Sequence, residues 1–391
     1  MRTRPTFLLA PLILPVVRAK GEIPPQTYDY SYQLYQEDGD RIRVEAQYVR
    51  GSIDFDEDTS FRFQYLHDAI SGSSPTGALP GNVQPFYAEL DDVREGLLGA
   101  ISRRIGDHRI EVEVSRSEED DYVSRGFALT DTLELNQKNT TLAFGLNYLN
   151  DRVTVPGLDK KDKHAYDLFA GVSQVLGKNT LLTANFTLGY TEGYLNDPYK
   201  AVQRNEAIFI PDGFGGFIEI PIVNLYRENR PDSRFRQVLQ LGARQYFETP
   251  DAALDGTLRL SHDDYGIFSQ TLQIEWRQTI GDRFEVVPFF RYYHQNEADF
   301  FVNTLNETLP AGTPSGDPDG SGPNYSADYR LSDFTALSGG VRMSFRFNDH
   351  FSATASYERY LMEGSGGSSG QAPDEAYIEA DIWTFGVHAT F

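Results

Sequence analysis

The stretch that most narrows the possible folds is the last one, Tyr377 to Phe391. From Trp383 onward, Trp383, Phe385, Val387, Ala389 and Phe391 alternate without a break with Thr384, Gly386, His388 and Thr390. A period of two gives one strand an apolar face and a polar face. The edges of such a strand carry unpaired backbone groups, so the remaining segments are read first as strands that close against it.

The same period recurs along the chain. Tyr28, Tyr30 and Tyr32 oppose Asp29, Ser31 and Gln33. Ile42, Val44, Ala46 and Tyr48 are expected to point outward, with Arg43, Glu45 and Gln47 inward. Further strands are expected over Phe61–Leu66, Leu97–Arg103, Ile110–Val114, Tyr122–Leu129, Leu142–Tyr148, Tyr166–Val172 and Leu182–Leu188. Leu239, Leu241 and Ala243 should pair with Leu258 and Leu260, and strands through Trp276, Tyr292, Val341 and Tyr357 complete the series. Pro288 lies inside one of them and lacks a ladder donor, which suits an edge or a bulge.

Between the strands, connections alternate in length. Short turns are expected at Gly106-Asp107, Gly177-Lys178-Asn179, near Asp255-Gly256, at Gly281-Asp282 and at Asn348-Asp349. Long loops are expected over His67–Gln84, residues 191–234, Leu309–Asn324 and Gly364–Gly370. Long loops at one end and short turns at the other are the pattern of outer-membrane barrels, and the C-terminal strand resembles their insertion signal, carried here by Trp383, Phe385, Val387 and Phe391. The expected fold is all-β: a transmembrane, antiparallel, up-and-down β-barrel of about sixteen strands with long extracellular loops and short periplasmic turns.

Composition agrees with this reading. No run of about 18 apolar residues is present, so no ordinary transmembrane helix is encoded. Aromatics are abundant, with 26 Phe and 23 Tyr, and suit strands and membrane–water boundaries. Cysteine is absent, as suits an oxidising compartment. Arg2, Arg4 and the apolar Phe7–Val17 run read as an export signal over residues 1–19, leaving 20–391 as a single barrel domain. The bilayer, lipopolysaccharide and the barrel-assembly machinery are the expected partners, with oligomeric state left open. A net charge of -22 argues against nucleic acid.

Alternation assigns a charged inward set: Arg43, Glu45, Glu111, Glu113, Arg244, Arg259, Glu275, Arg277, Arg291, Arg342 and Arg346. These charges either line a channel for small hydrophilic solutes or pair across the lumen and close it. The later strands lean basic, which favours anionic solutes. The closed form would be a structural anchor or a partner in a cell-envelope assembly. A barrel-borne hydrolase ranks last: His67, Asp68 and Ser71 are the one close cluster, and no G-x-S-x-G elbow accompanies them. No catalytic, metal or cofactor site is assigned. Asp54, Asp56 and Asp58 are spaced as in the start of a calcium loop, and Asp317 and Asp319 lie in a Gly-rich loop. Neither set has the Gly and distal Glu that would complete the motif, so calcium at these acidic loops is only a weak alternative to solvated turns.

Two further motifs point to a family. Asp68-Ala69-Ile70-Ser71-Gly72-Ser73-Ser74-Pro75 resembles the D-A-x-S-G-A-S-P segment of outer-membrane proteins designated domain of unknown function DUF3570, with Ser73 in place of the usual Ala. Glu228-Asn229-Arg230-Pro231-Asp232-Ser233-Arg234 resembles that family's E-N-R-P-D-S-R run. The resemblance implies a bacterial outer-membrane barrel and assigns no activity. Both motifs, with Asp68, Ser71, Gly72, Pro75, Glu228, Arg230, Asp232 and Arg234 as their chemical content, are expected in loops. The second carries enough charge for an ion-pair network between a loop and the barrel wall.

Overall fold

A strand can bury its backbone polar groups only if both edges are paired, and here every strand of the main sheet is. The structure, a computed structural model, describes residues 24–81, 85–155, 157–306, 318–367 and 370–391. The export signal expected at 1–19 and most of Leu309–Asn324 lie outside these residues. The first half of the barrel comprises β1 (Gln26–Glu37), β2 (Arg43–Asp54), β3 (Thr59–Pro75), β4 (Tyr87–Ile105), β5 (His108–Glu118), β6 (Tyr122–Leu135), β7 (Thr140–Val153), β8 (Lys161–Gly177) and β9 (Thr180–Gly193). Two strands, β10 (Ala201–Pro211) and β11 (Phe217–Arg227), form a separate ribbon. The barrel resumes with β12 (Ser233–Phe247), β13 (Ala252–Asp263), β14 (Phe268–Ile280), β15 (Phe284–Gln295), β16 (Phe334–Arg346), β17 (Phe351–Gly364) and β18 (Glu379–Thr390). Neighbours are antiparallel throughout, and β1 closes on β18 to complete a barrel of sixteen strands. Gln26 and Phe391 exchange both backbone hydrogen bonds, at 3.0 and 2.9 Å, so the closing seam is bonded at its end.

Directly opposed residues share a face, so the register fixes which side chains point out. Tyr30 and Ala353 flank Val387, and Tyr32 and Ala355 flank Phe385, on the outer wall. Outward rows of Leu, Ile and Val continue around the barrel, among them Leu97, Ile101, Val112, Val114, Leu168, Leu241 and Ile274, all exposed. Aromatic rings border this apolar band at both ends. Tyr148, Tyr166 and Tyr190 stack side by side near one end, at 5.1 and 6.5 Å between centroids. Tyr28 and Phe351 flank Phe391 at the other, and Phe247 stacks on Trp276. An apolar belt between two aromatic girdles is the outer surface of a transmembrane barrel.

All turn-end connections are two to four residues long, whereas the opposite end carries 76–86, 194–232, 296–333 and 365–378. Several sequence expectations need correction. Arg43 and Glu45 are on the outer wall, opposite Gln36 and Leu34, while Val44, Ala46 and Tyr48 face inward. Physically, both charges sit on the last residues below the loop-end turn, where Glu45 accepts from Tyr32 Oη at 3.0 Å and pairs with Arg43 at 2.8 Å. Asp68 to Pro75 belong to β3 and not to a loop. Asp255 and Gly256 lie within β13, and the turn comes earlier, at 248–251. The 191–234 interruption contains the β10–β11 ribbon. Pro288 sits inside β15, where the β14–β15 ladder skips from Glu275↔Phe289 to Gln278↔Val286. The missing amide accounts for that gap.

Val387 lies midway between Trp383 and Phe391 on the outward row, whereas Thr384 faces the lumen and accepts from Gln33 Nε2. Val387→Arg should therefore cost roughly 2–4 kcal/mol in the bilayer. Thr384→Arg should cost much less. Heat-modifiable mobility on gels reads both; equal loss in the two variants would mean that these faces are reversed.

Candidate functional site

Side chains inside a barrel this wide meet water, so charged residues persist there if they pair or stay hydrated. Glu111 and Glu113 face inward on β5 and share Arg62 of β3 at 2.7 and 2.8 Å. On the opposite wall, near the turns, Arg244 pairs with Asp255, Arg277 with Glu285 at 2.9 Å, and Arg342 with Glu275 at 3.2 Å. Arg259, Arg291 and Arg346 also face inward, and all three are exposed to solvent. Arg236, the next inward residue above Val238, completes this basic wall. Periodicity alone misses it, because the apolar alternation becomes readable only at Leu239, six residues after the strand begins at Ser233.

The first motif occupies the loop end of β3. Asp68 is 1% exposed, faces inward, and accepts from Arg94 Nε of β4 at 3.1 Å. Ser71 points outward, opposite Arg43 and Asp91. Gly72 has φ +123°, and a Cβ there would lie 1.7 Å from the Arg41 carbonyl oxygen, which accepts from the Ser73 amide. Only glycine fits that approach. Beyond it, Ser74 Oγ and the Pro75 carbonyl both accept from Lys200 Nζ. Lys200 is itself buried and lies over the Tyr329 ring.

That lysine leads to the second motif. Glu228 is fully buried, accepts from the Asp197 amide and from Ser326 Oγ, and forms an ion pair with Arg230 Nε at 2.8 Å. Arg230 also donates to Asp328 Oδ2 at 2.7 Å, and Arg330 joins Asp328 to Asp197. Asn229 holds the neighbouring segment through the Ser321 and Pro323 carbonyls. Arg234 pairs with Asp263 of β13 and lies over the Tyr265 ring. Asp232 is exposed, and its backbone carbonyl accepts from the Gly193 amide. The two motifs, about as far apart in sequence as β3 and β12, thus meet at one mouth of the barrel. Asp197, Lys200, Asp328 and Arg330 were not anticipated, because they lie in segments with no periodicity to read.

Burial alone would raise the Asp328 carboxyl, but Arg330 and Arg230 override it and hold the group well below the usual carboxylate range. For Glu228, burial and then the Asp328 charge push upward against Arg230. Burial also lowers the Lys200 ammonium, with Asp328 opposing that shift.

An apolar base underlies these charges. Tyr265, Phe301, Tyr329, Leu331, Phe334, Met362 and Tyr377 form one buried cluster, and Val202, Leu305, Tyr325 and Ala327 another. Loops and strand ends thereby pack into a cap across the mouth. Under it, residues Leu195 to Tyr199 and the inward side chains Lys163, Arg234 and Arg236 line a cavity of about 410 Å³. The β10–β11 ribbon extends from the cap with Phe209, Phe214, Phe217 and Ile218 exposed, Phe214 to 97%.

His67 and Asp68 project to opposite faces of β3 and make no dyad. Asp56 Oδ1 accepts the Asp58 and Thr59 amides at 2.8 and 2.7 Å, as a hairpin-turn residue does. Asp92, Glu119 and Asp121 bring carboxylate oxygens within 4.8 Å of one another at the loop end.

Comparison with known proteins places the chain as follows. A family model described as "Protein of unknown function (DUF3570)" matches residues 14–87, 81–160 and 155–376. No curated protein matches the sequence. Among solved structures, the chain is similar to the siderophore receptor PirA from Pseudomonas aeruginosa, with 14% identity and a TM-score of 0.44 over 94% of this chain and 62% of that one. It is also similar to a bacterial polysaccharide outer membrane secretin, with 9% identity and a TM-score of 0.49 over 95% of this chain and 99% of that one. OmpT of Vibrio cholerae gives 8% identity and a TM-score of 0.44 over 95% and 99% of the two chains. The chain spans less than two thirds of the length of the PirA receptor.

Removing one partner of a buried ion pair costs about 3–5 kcal/mol. Asp328→Asn should therefore loosen the cap and expose residues 194–200 and 318–333 to protease, while the barrel keeps its heat-modifiable mobility. A depressed carboxyl contributes stability above its unfolded value of about 3.9 and loses it as pH falls through the lower folded value. The wild-type cap should accordingly resist protease from neutral pH down to about 4 and loosen progressively as the pH falls further. Equal proteolysis of wild type and variant at neutral pH would show that the network does not hold the cap.

Proposed function

The chain belongs to the DUF3570 family, and from that premise we propose that it is an outer-membrane channel, or the channel part of a transport system, for small hydrophilic solutes. Its loops cover the outer mouth and its short turns lie in the periplasm. The reading is carried by one observation: Arg236, Arg259 and Arg291 point into the barrel yet are exposed to solvent. An inward arginine stays exposed only where the lumen holds water, and sixteen strands enclose a lumen of that width. The apolar belt makes the bilayer its solvent. The cap is then a cover that restrains flux, and catalysis has no part in this reading.

A second reading has its own support. The β10–β11 ribbon exposes apolar side chains on a projecting arm, and exposed apolar patches of this kind mark contact surfaces. The barrel would then anchor or dock a component of a cell-envelope assembly.

Single-channel recording in planar bilayers separates the two. The purified protein should conduct, and Arg230→Ala, which frees Glu228 and Asp328, should raise the conductance or its open time. Absence of conductance in both proteins would remove the channel reading and leave the docking one.

A further inference from the structure

We infer that the lumen carries a binding stripe for small oxyanions, of carboxylate or phosphate type, formed by Arg236, Arg259 and Arg291. The inference rests on the channel reading and specifies its solute class.

Three strand registers put these arginines on one wall. Arg259 stands between Gln240 of β12 and Thr271 of β14, and Arg291 between Gln273 of β14 and Ser338 of β16. Arg236 stands above them, between Gly189 of β9 and Asp263 of β13. Among the described residues, neither Arg236 nor Arg259 forms an ion pair or a side-chain hydrogen bond. Arg291 uses only its Nε, which donates to Gln273 Oε1 at 2.9 Å and leaves both terminal nitrogens to the lumen.

Among the described residues, Asp263, Asp255, Glu275 and Glu285 are held by other arginines, whereas Asp167 and Glu358 pair with none. Asp263 holds Arg234 and accepts the Tyr265 and Ile267 amides. Asp255, Glu275 and Glu285 hold Arg244, Arg342 and Arg277 nearer the turns. Glu358 of β17 lies two strands beyond Arg291, across Gly340 and Ser338. Asp167 lies across Gly189 from Arg236 and accepts from Asn147 Nδ2. The stripe therefore runs between a charge-paired cap above and a charge-paired network below.

Guanidinium groups stay charged at every working pH and present paired N–H donors that match carboxylate and phosphate oxygens. Neutral Gln240, Thr271 and Gln273 supply hydrogen-bonding groups between them without opposing charge. Successive sites of like charge, each half-hydrated, let an anion enter and leave, which a single tight site would not. The cavity beneath the cap, where Arg236, Lys163 and Arg234 face Glu119, Asp121 and Asp197, forms the upper end of the path, and the uncompensated charge lies below it.

The test uses the full-length protein in planar bilayers under a potassium chloride gradient, with inorganic phosphate as the probe. Wild type should show a reversal potential on the anion side and a chloride current that phosphate reduces. The triple variant Arg236→Gln, Arg259→Gln, Arg291→Gln should conduct, lose most of the anion preference and lose the phosphate block. Heat-modifiable mobility checks that the variant is folded, and Arg259→Lys with Arg291→Lys should keep the anion preference while weakening the block. Conductance without anion preference, or a preference that the triple variant retains, would overturn the stripe and leave the channel standing. If no current is seen, the channel reading falls, and calorimetric titration of the detergent-solubilised protein with phosphate decides the stripe. Binding by wild type that the triple variant loses would uphold it, and equal behaviour would end it.

Discussion

Backbone pairing in a medium without water is the constraint on which the rest of this structure depends. In hydrocarbon, an unpaired N–H or C=O has no solvent to turn to, so a sheet that crosses a bilayer has to close. The β1–β18 seam completes that closure. Once it is made, every strand has two fates for its side chains, lipid or lumen, and the period of two follows. Apolar residues take the outer positions, which frees the inner ones to be polar. The arginines of β12 to β16 are tolerated for that reason, and the same residues in a soluble sandwich would fall in a core.

Charge is sorted along the barrel axis as well as across the wall. Near the turns, Arg244, Arg277 and Arg342 are matched by Asp255, Glu275 and Glu285. At the loop end, Arg94, Arg230, Arg234 and Arg330 are matched by Asp68, Glu228, Asp263 and Asp328. Buried pairs of this kind add little net stability compared with apolar packing, yet they fix one arrangement, because a misplaced charge has no partner. Here they set the cap in a defined position on an apolar base.

Much of the wall was legible from the residues. Leu239 and Leu241 do lie opposite Leu260 and Leu258, since lipid imposes a strict period on them. The reading failed where that pressure stops. Arg43 and Glu45 sit beyond the belt, so alternation no longer tells inside from outside there. Asp68 to Pro75 resemble a loop because Gly, Ser and Pro dominate, yet they continue β3 above the membrane, where the Arg41 carbonyl demands a glycine. The charges of Glu228 to Arg234 announce an ion-pair network, but its partners in the cap are not legible in the chain. Its partners come from segments held together by tertiary packing alone, and Asp197 and Asp328 carry no local sign that they share Arg330.

The projecting ribbon has a mechanical aspect. β11 ends at Arg227, and the next residue is Glu228, the most deeply buried acid of the cap. β10 begins at Ala201, directly after Lys200, which grips the end of β3. Both legs of the ribbon are thus rooted in the two charges that seat the cap on the wall. The ribbon is a lever whose fulcrum is the lock itself, and a load applied at Phe214 reaches the wall through Lys200 at the end of β3 and through Glu228.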